Sequence, residues 1–465
     1  MKIVKKILKW LGIGIGALLV LIILASLVMN VVFSRELRQT MAQLKAEGRA
    51  LTVAEIRPAP VPDDQNAAPL MQKAAELMGY GLGTNPPPKA APAIKELSDL
   101  INSNQTADIS TWPIAHREAL PRLIQAPEMT QLFAVLHEAS QMPGYNNNLK
   151  YEDGLNIFPP NLGPVRQTTR LLIINAELTA QNGNTEKAWA TVLEALKLVD
   201  LLQQEPILVT QLTRVACDRA IIDCMERMAN KTDIPADQAR TIIAELAHHT
   251  DTTPWIRAMD FDRMMMGTLY FQIIQYGSFT NCNTRVFTEM NIRRRLYRAF
   301  GFPMLGLLKR DCSVYLKLMS QIQDHYKVPY WEAAETIRNH PLDQQIPRFC
   351  TWTRSTLTGS EYGLVACKAT HDAAIAVARV GLGLKLFKQK NGAYPETLDN
   401  LAPEFIDAIP LDPFTGKALI YRKAEAGFIL YSLGPNQRDD NGTPRPTGKN
   451  VTGKEPYDIV WQCAK

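Results

Sequence analysis

Val165-Arg-Gln-Thr-Thr-Arg-Leu-Leu-Ile-Ile-Asn-Ala-Glu-Leu-Thr-Ala-Gln-Asn-Gly183-Asn-Thr-Glu-Lys-Ala-Trp-Ala-Thr-Val-Leu-Glu-Ala-Leu-Lys-Leu-Val-Asp200 reads as two helices folded about one glycine. Helix formers and apolar residues dominate both halves. Gly183 supplies a C-terminal stop, and Asn184 or Thr185 caps the second helix. The first helix is expected to reach about Gln181 and the second about Gln203. Pro206 is expected in the first turn of a third helix, where its fixed φ and missing N–H are tolerated.

Helical patterns continue through 235–249, 254–276, 291–321 and 365–390, with turns at Asp233-Ile-Pro235, Gly277–Asn283, Tyr326–Pro329 and Asn339–Pro347. Almost nothing before residue 415 alternates as a half-buried strand would, so the body, 63–364, is expected to be an all-α helical bundle. Leu172, Ala176, Gly183, Ala188, Val192 and Ala195 resemble one tetratricopeptide repeat. A second copy about 34 residues away is missing, and solenoids need three or more neighbours. The reading is therefore a TPR-like hairpin within the bundle.

Working back to residue 1, Lys2, Lys5, Lys6 and Lys9 precede an uncharged, mostly apolar run from Leu11 to Phe33. About 20 apolar residues cross a bilayer core as a helix, and this run supplies them. Residues 1–33 thus read as a transmembrane signal-anchor, with the lipid bilayer as partner of 11–33. Cleaved signals carry shorter apolar regions of about 7–15 residues. The lysine bias predicts a cytoplasmic N-terminus and an exported bulk, as in a single-pass protein of a bacterial cytoplasmic membrane. Residues 34–62 read as a juxtamembrane helix stopping near Gly48, then a linker extended by Pro58, Pro60 and Pro62.

Net charge is +5, and the four lysines before the anchor leave about +1 for the remainder. That near-neutral balance gives no electrostatic reason to expect a nucleic-acid partner. The seven cysteines show no metal-type spacing and read as buried thiols with one or two structural disulfides.

From 365 to 465 the pattern changes to a small α+β module. Lys417–Arg422 and Phe428–Leu433 read as a hairpin, with a last strand at Tyr457–Gln462. The helix end Lys390-Asn-Gly-Ala-Tyr-Pro395, the turn Asp412-Pro413, Leu419-Ile-Tyr-Arg422 and Phe428-Ile-Leu-Tyr-Ser-Leu-Gly434 resemble the C-terminal domain of the major pseudopilin of type II secretion. The likeness covers roughly 371–461. In that family an acidic loop binds Ca²⁺, which here implies Asp439 and Asp440, helped by Asn436, Asn441 and backbone carbonyls. Oxygen-only ligands suit that hard cation. This chain lacks the family's acidic residue at the start of the apolar run, and more than 330 residues separate that run from the module. The anchor followed by Pro60-Val-Pro-Asp-Asp-Gln-Asn-Ala-Ala-Pro-Leu70 resembles a group of bacterial single-pass membrane proteins without an assigned activity.

No nucleophile elbow, zincin, P-loop or dinucleotide motif occurs, and no catalytic residue is nominated. His248-His249 with Asp251 is read as a helix end, because adjacent side chains diverge by about 100° on a helix. His371-Asp372 has the same weakness as a site, since its adjacent side chains diverge too. Arg293-Arg294-Arg295 with Arg298 fits a solvated helix face or an anionic headgroup site, and Met264-Met265-Met266 fits core packing. The leading functional expectation is a non-enzymatic, membrane-anchored scaffold or binding protein of the cell envelope, with an envelope protein partner. The alternatives are an envelope hydrolase whose site converges from distant residues, and a pseudopilus-associated component.

Overall fold

The computed structural model describes residues 2–81, 88–104, 108–151, 157, 162–276, 291–357, 360–425, 427–446 and 456–463. The protein is mainly helical, with one small sheet near the C-terminus. A long helix, α1 (Lys2–Ala46), opens the chain. Short helices follow: α2 (Val53–Ile56), α3 (Ala68–Leu77), α4 (Pro92–Ser103), α5 (Ile114–Ile124) and α6 (Pro127–Ser140). The centre comprises α7 (Leu162–Gln181), α8 (Thr185–Asp200), α9 (Leu208–Lys231), α10 (Ala236–His248), α11 (Thr253–Tyr276) and α12 (Asn291–His325). Then come α13 (Tyr330–Asn339), α14 (Leu342–Gln345), α15 (Thr351–Leu357) and α16 (Ser360–Asn391). The turn expected at 339–347 therefore contains a short helix.

The α7–α8 corner forms as its residues dictate. Gly183 sits at φ 84°, which a side chain resists, and the Asn184 side chain accepts from Lys187 N at 3.1 Å. Pro206, however, stands outside α9. The Ile207 carbonyl accepts from the amides of Thr210 and Gln211 at 3.0 and 3.1 Å, so Ile207 is the capping residue and the proline precedes it.

The first part of α1 is bare: Leu11, Leu18, Leu21 and Val28 are each more than half exposed. It is long and apolar enough to cross a membrane. The second part packs on α12. Lys309 Nζ donates to Asn30 Oδ1 and Ser34 Oγ at 2.7 and 2.8 Å, the Thr40 and Ser313 hydroxyls meet at 2.8 Å, and Arg49 reaches Gln323 and Asp324. These pairs advance along both helices together, so α1 and α12 run parallel. Gly306 permits their approach: a Cβ there would lie 2.9 Å from backbone atoms of Met29 and Asn30.

One apolar cluster runs from Leu37 and Leu44 of α1, through Trp189, Ile221 and Trp255, to Trp461 near the C-terminus. The sheet has the order β1 (Ile420–Lys423), β2 (Phe428–Ser432), β3 (Ile459–Cys463), antiparallel throughout, with Tyr421 opposite Leu430 and Leu430 opposite Trp461. The Trp461 ring lies against α16, where a Cβ on Gly381 would come within 2.8 Å of it. Before the sheet, the buried Asp412 fastens the turn. Its Oδ1 accepts from Phe414 N and the Ser432 hydroxyl, and its Oδ2 from Leu433 N, at 2.8–3.1 Å.

All six described cysteines are free and five are buried, so no disulfide forms among the described residues; Cys282 lies outside them. Burial raises the Cys217 thiol to about 12 and the Cys350 thiol to about 11, which suppresses the reactive thiolate.

Candidate functional site

The centre of α9 places Gln211, Arg214 and Asp218 on one face, three and four residues apart, and all three are fully buried. Burial of an ionised carboxylate demands compensation. Asp218 obtains it from two imidazoles on other helices. His249, just past the end of α10, presents Nδ1 to Asp218 Oδ1 at 2.9 Å. His371 on α16 presents Nε2 to Asp218 Oδ2 at 2.7 Å.

The geometry makes Asp218 an acceptor of two N–H groups. Burial alone would raise its pKa, but the charge and hydrogen bonds of His249, together with those of His371, hold it well below the usual carboxylate range. For His249, burial opposes the charged form; Asp218 and Asp200 outweigh it, and the pKa rises.

Each histidine's second nitrogen also faces a carboxylate. His249 Nε2 lies 3.5 Å from Asp200 Oδ1, with Glu245 beside them on α10. His371 Nδ1 lies 3.8 Å from Asp372 Oδ1. One turn back on α16, Lys368 donates to Asp372 Oδ2 at 2.6 Å and to the Thr250 carbonyl at 3.1 Å. Despite its burial, Asp372 is held ionised by the Lys368 charge, with help from His371. Arg214 Nη1 donates to the His249 carbonyl at 3.3 Å. The result is a line of ionisable groups through the protein: Glu245 and Asp200, His249, Asp218, His371, Asp372, Lys368.

One end of this line opens into a cleft of about 460 Å³. Its lining brings together the Lys368–Asp372 ion pair, the aromatic rings of Tyr326, Tyr330 and Trp331, the polar groups of Thr252, His325 and Lys327, and the turn Leu411-Asp412-Pro413. A cleft with aromatic walls and a few convergent polar groups has the make-up of a small-molecule site.

His248 and His249 do end α10, and their rings diverge as adjacent helical positions require. His248 is exposed, as an ordinary helix end would be, but His249 is fully buried against Asp218. His371 converges with it across the fold. Asp251, by contrast, caps α11: its Oδ1 accepts from Thr253 N and Oγ1 at 2.9 Å. Met264 and Met265 are buried with Tyr151, Ile207 and Phe261, as core residues. The side chains of Arg293, Arg294, Arg295 and Arg298 lie outside the described ones.

In the acidic loop, Asp439 Oδ1 accepts from the Tyr431 hydroxyl and Asn441 N at 2.9 and 2.8 Å, and its Oδ2 lies 3.3 Å from the Arg422 guanidinium. Asn436 donates to Asp440 Oδ2 at 2.7 Å, while its own Oδ1 accepts from Arg438 N at 3.0 Å. Asn441 adopts φ 59°, a left-handed turn conformation. Both Asp439 oxygens, Asp440 Oδ2 and Asn436 Oδ1 are thus engaged within the protein.

Sequence reasoning missed Asp200, Asp218, Glu245, Arg214 and Lys368. The one available signal was the polar stripe 211–214–218, which looks identical whether it faces solvent or the centre of a fold. No family model, curated protein or solved structure matches this chain.

Proposed function

We propose that this is a membrane-anchored binding protein of the bacterial cell envelope. Its α1 spans the cytoplasmic membrane, and its exported body holds a small polar ligand in the cleft lined by Lys368 and Asp372. The supporting observation is the Lys368–Asp372 ion pair in the lining of a cleft with aromatic residues, with Asp372 3.8 Å from His371 of the buried His371–Asp218–His249 array. A preformed polar pair beside aromatic surface offers a ligand both orientation and apolar contact. Of the helical pairs, α7–α8 is the TPR-like hairpin, serving here as part of the wall of the body and not as a repeat array.

Native mass spectrometry of the full chain released from detergent tests this reading. A small molecule should accompany the wild-type protein and be lost from Asp372→Asn and Trp331→Ala variants that keep the wild-type melting temperature. Equal occupancy in all three, or none in any, overturns the cleft. Proteolysis of the body from outside spheroplasts tests the orientation, and full protection there overturns it.

A hydrolase is the second reading, favoured by the orientation of His371. With Nε2–H committed to Asp218, its Nδ1 is turned toward Asp372 of the cleft lining, as a base held in one tautomer would be.

A further inference from the structure

At the end of the polar line away from the cleft, His249, Asp200 and Glu245 place one imidazole nitrogen and two carboxylate oxygens within 4.8 Å of one another. We propose that these three residues form a Zn²⁺ site with an exchangeable fourth position. This inference is independent of the cleft and of any ligand bound there.

One ring nitrogen of His249 is left unanswered by the protein. His249 is fully buried, and its Nε2 makes no hydrogen bond. Asp200 Oδ1 is likewise without a hydrogen-bond partner, and the two atoms face each other at 3.5 Å. Because Nδ1–H is given to Asp218, His249 turns Nε2 toward a carboxylate oxygen, where that nitrogen carries either a proton or, once the proton leaves, a lone pair. Two electron-rich atoms in that position repel unless a cation stands between them. Ligands about 2.0–2.1 Å from a tetrahedral zinc lie roughly 3.4 Å apart, close to the spacing found.

The histidine is also supported from behind. Metal-bound imidazoles almost always donate their other ring N–H to a carboxylate, a backbone carbonyl or water, which fixes ring and tautomer. Asp218 does this for His249 at 2.9 Å, and His371 fixes Asp218 in turn at 2.7 Å. Asp218 and His371 are therefore positioning residues for the site.

The carboxylates of Asp200, Glu245, Asp218 and Asp372 outnumber the fixed cations Arg214, Lys368 and Lys197 around them, an excess of negative charge that a divalent ion offsets. An imidazole with two carboxylates suits zinc, whereas calcium and magnesium prefer oxygen alone. Asp200 and Glu245 are only partly buried, so water reaches the fourth position, as at open zinc sites.

The competing occupant is a proton on His249 Nε2, giving an ion pair with Asp200 and no metal. Calorimetric titration of the full chain in detergent, stripped beforehand with EDTA, separates the two. One equivalent of Zn²⁺ should bind and raise the melting temperature. Glu245→Gln and Asp200→Asn should each weaken binding at least about tenfold. Asp237→Asn, an exposed change on the same helix, should leave it unchanged. Absence of zinc binding, or equal affinity in all variants, overturns the proposal in favour of the proton. If the variants fail to fold, Co²⁺ on the wild type decides. Visible bands of four-coordinate cobalt, displaced by zinc, support the site. Their absence, or a thiolate charge-transfer band placing the metal on cysteine, overturns it.

Discussion

His371 Nε2 and Asp218 Oδ2 lie 2.7 Å apart, although 153 residues separate them in the chain. Because Asp218 binds His249 through its other oxygen, one carboxylate joins α9, α16 and the end of α10. Each partner alone would be a costly buried polar group; together they satisfy one another.

Asp218→Ala should therefore destabilise the fold by about 3–5 kcal/mol, the range for breaking a buried charged network from one side. Asp218→Asn should cost less, since an amide oxygen still accepts from one histidine. Chemical denaturation of the three proteins checks the order. A loss under about 1 kcal/mol for the alanine variant would show that the histidines find other partners.

Glu226 ties α9 to the sheet by accepting from Gln462 N at 2.8 Å, and burial pushes its carboxyl up to about 7. In the unfolded chain it titrates near 4.5. Between those values the folded state holds the extra proton, so this group's contribution to stability falls as pH rises from about 4.5 to 7. Glu226→Gln keeps an acceptor for Gln462 and removes the titration. It should gain stability relative to wild type by about 2 kcal/mol at pH 8 and nothing at pH 4. Melting temperatures of both proteins across that range measure the difference.

The two halves of the chain were unequally readable. The apolar run 11–33, the corner at Gly183 and the three strands were visible because each rests on local signals: uninterrupted hydropathy, a stop glycine with a cap, and short β-branched and aromatic runs bounded by turn residues. His249 and His371 were not. Local reasoning correctly separated His248 from His249 by direction around the helix, but nothing local says which direction is inward. The two partners of Asp218 lie 31 and 153 residues away. The α1–α12 seam was hidden similarly, since Asn30, Ser34 and Thr40 look like ordinary polar residues until Lys309 and Ser313 meet them.

Gly306→Val should open that seam. Its side chain meets the α1 backbone at Met29 and Asn30, which cannot yield as a flexible side chain would. The expected loss is about 1–3 kcal/mol, with Gly306→Ala at the lower end. Faster hydrogen exchange along residues 30–44 would locate the damage in α1. Unchanged exchange there would place it elsewhere.

Calcium remains a proposal for the loop 436–442, and Arg422 supplies the means of testing it. Its guanidinium lies by Asp439, where a bound cation would compete with it. If the loop binds calcium, Ca²⁺ should raise the melting temperature reversibly with EDTA, more strongly in Arg422→Ala, and not at all in Asp439→Asn with Asp440→Asn. A flat response in every variant removes calcium from the loop.

The helix α1 continues unbroken from its bare apolar part into the seam with α12, with no hinge between. It is a stiff handle and not a leash. Any tilt or twist imposed on its apolar half turns the packed body with it; with that half in a bilayer, as proposed, the angle of the body and the direction its cleft faces would be built into one rod.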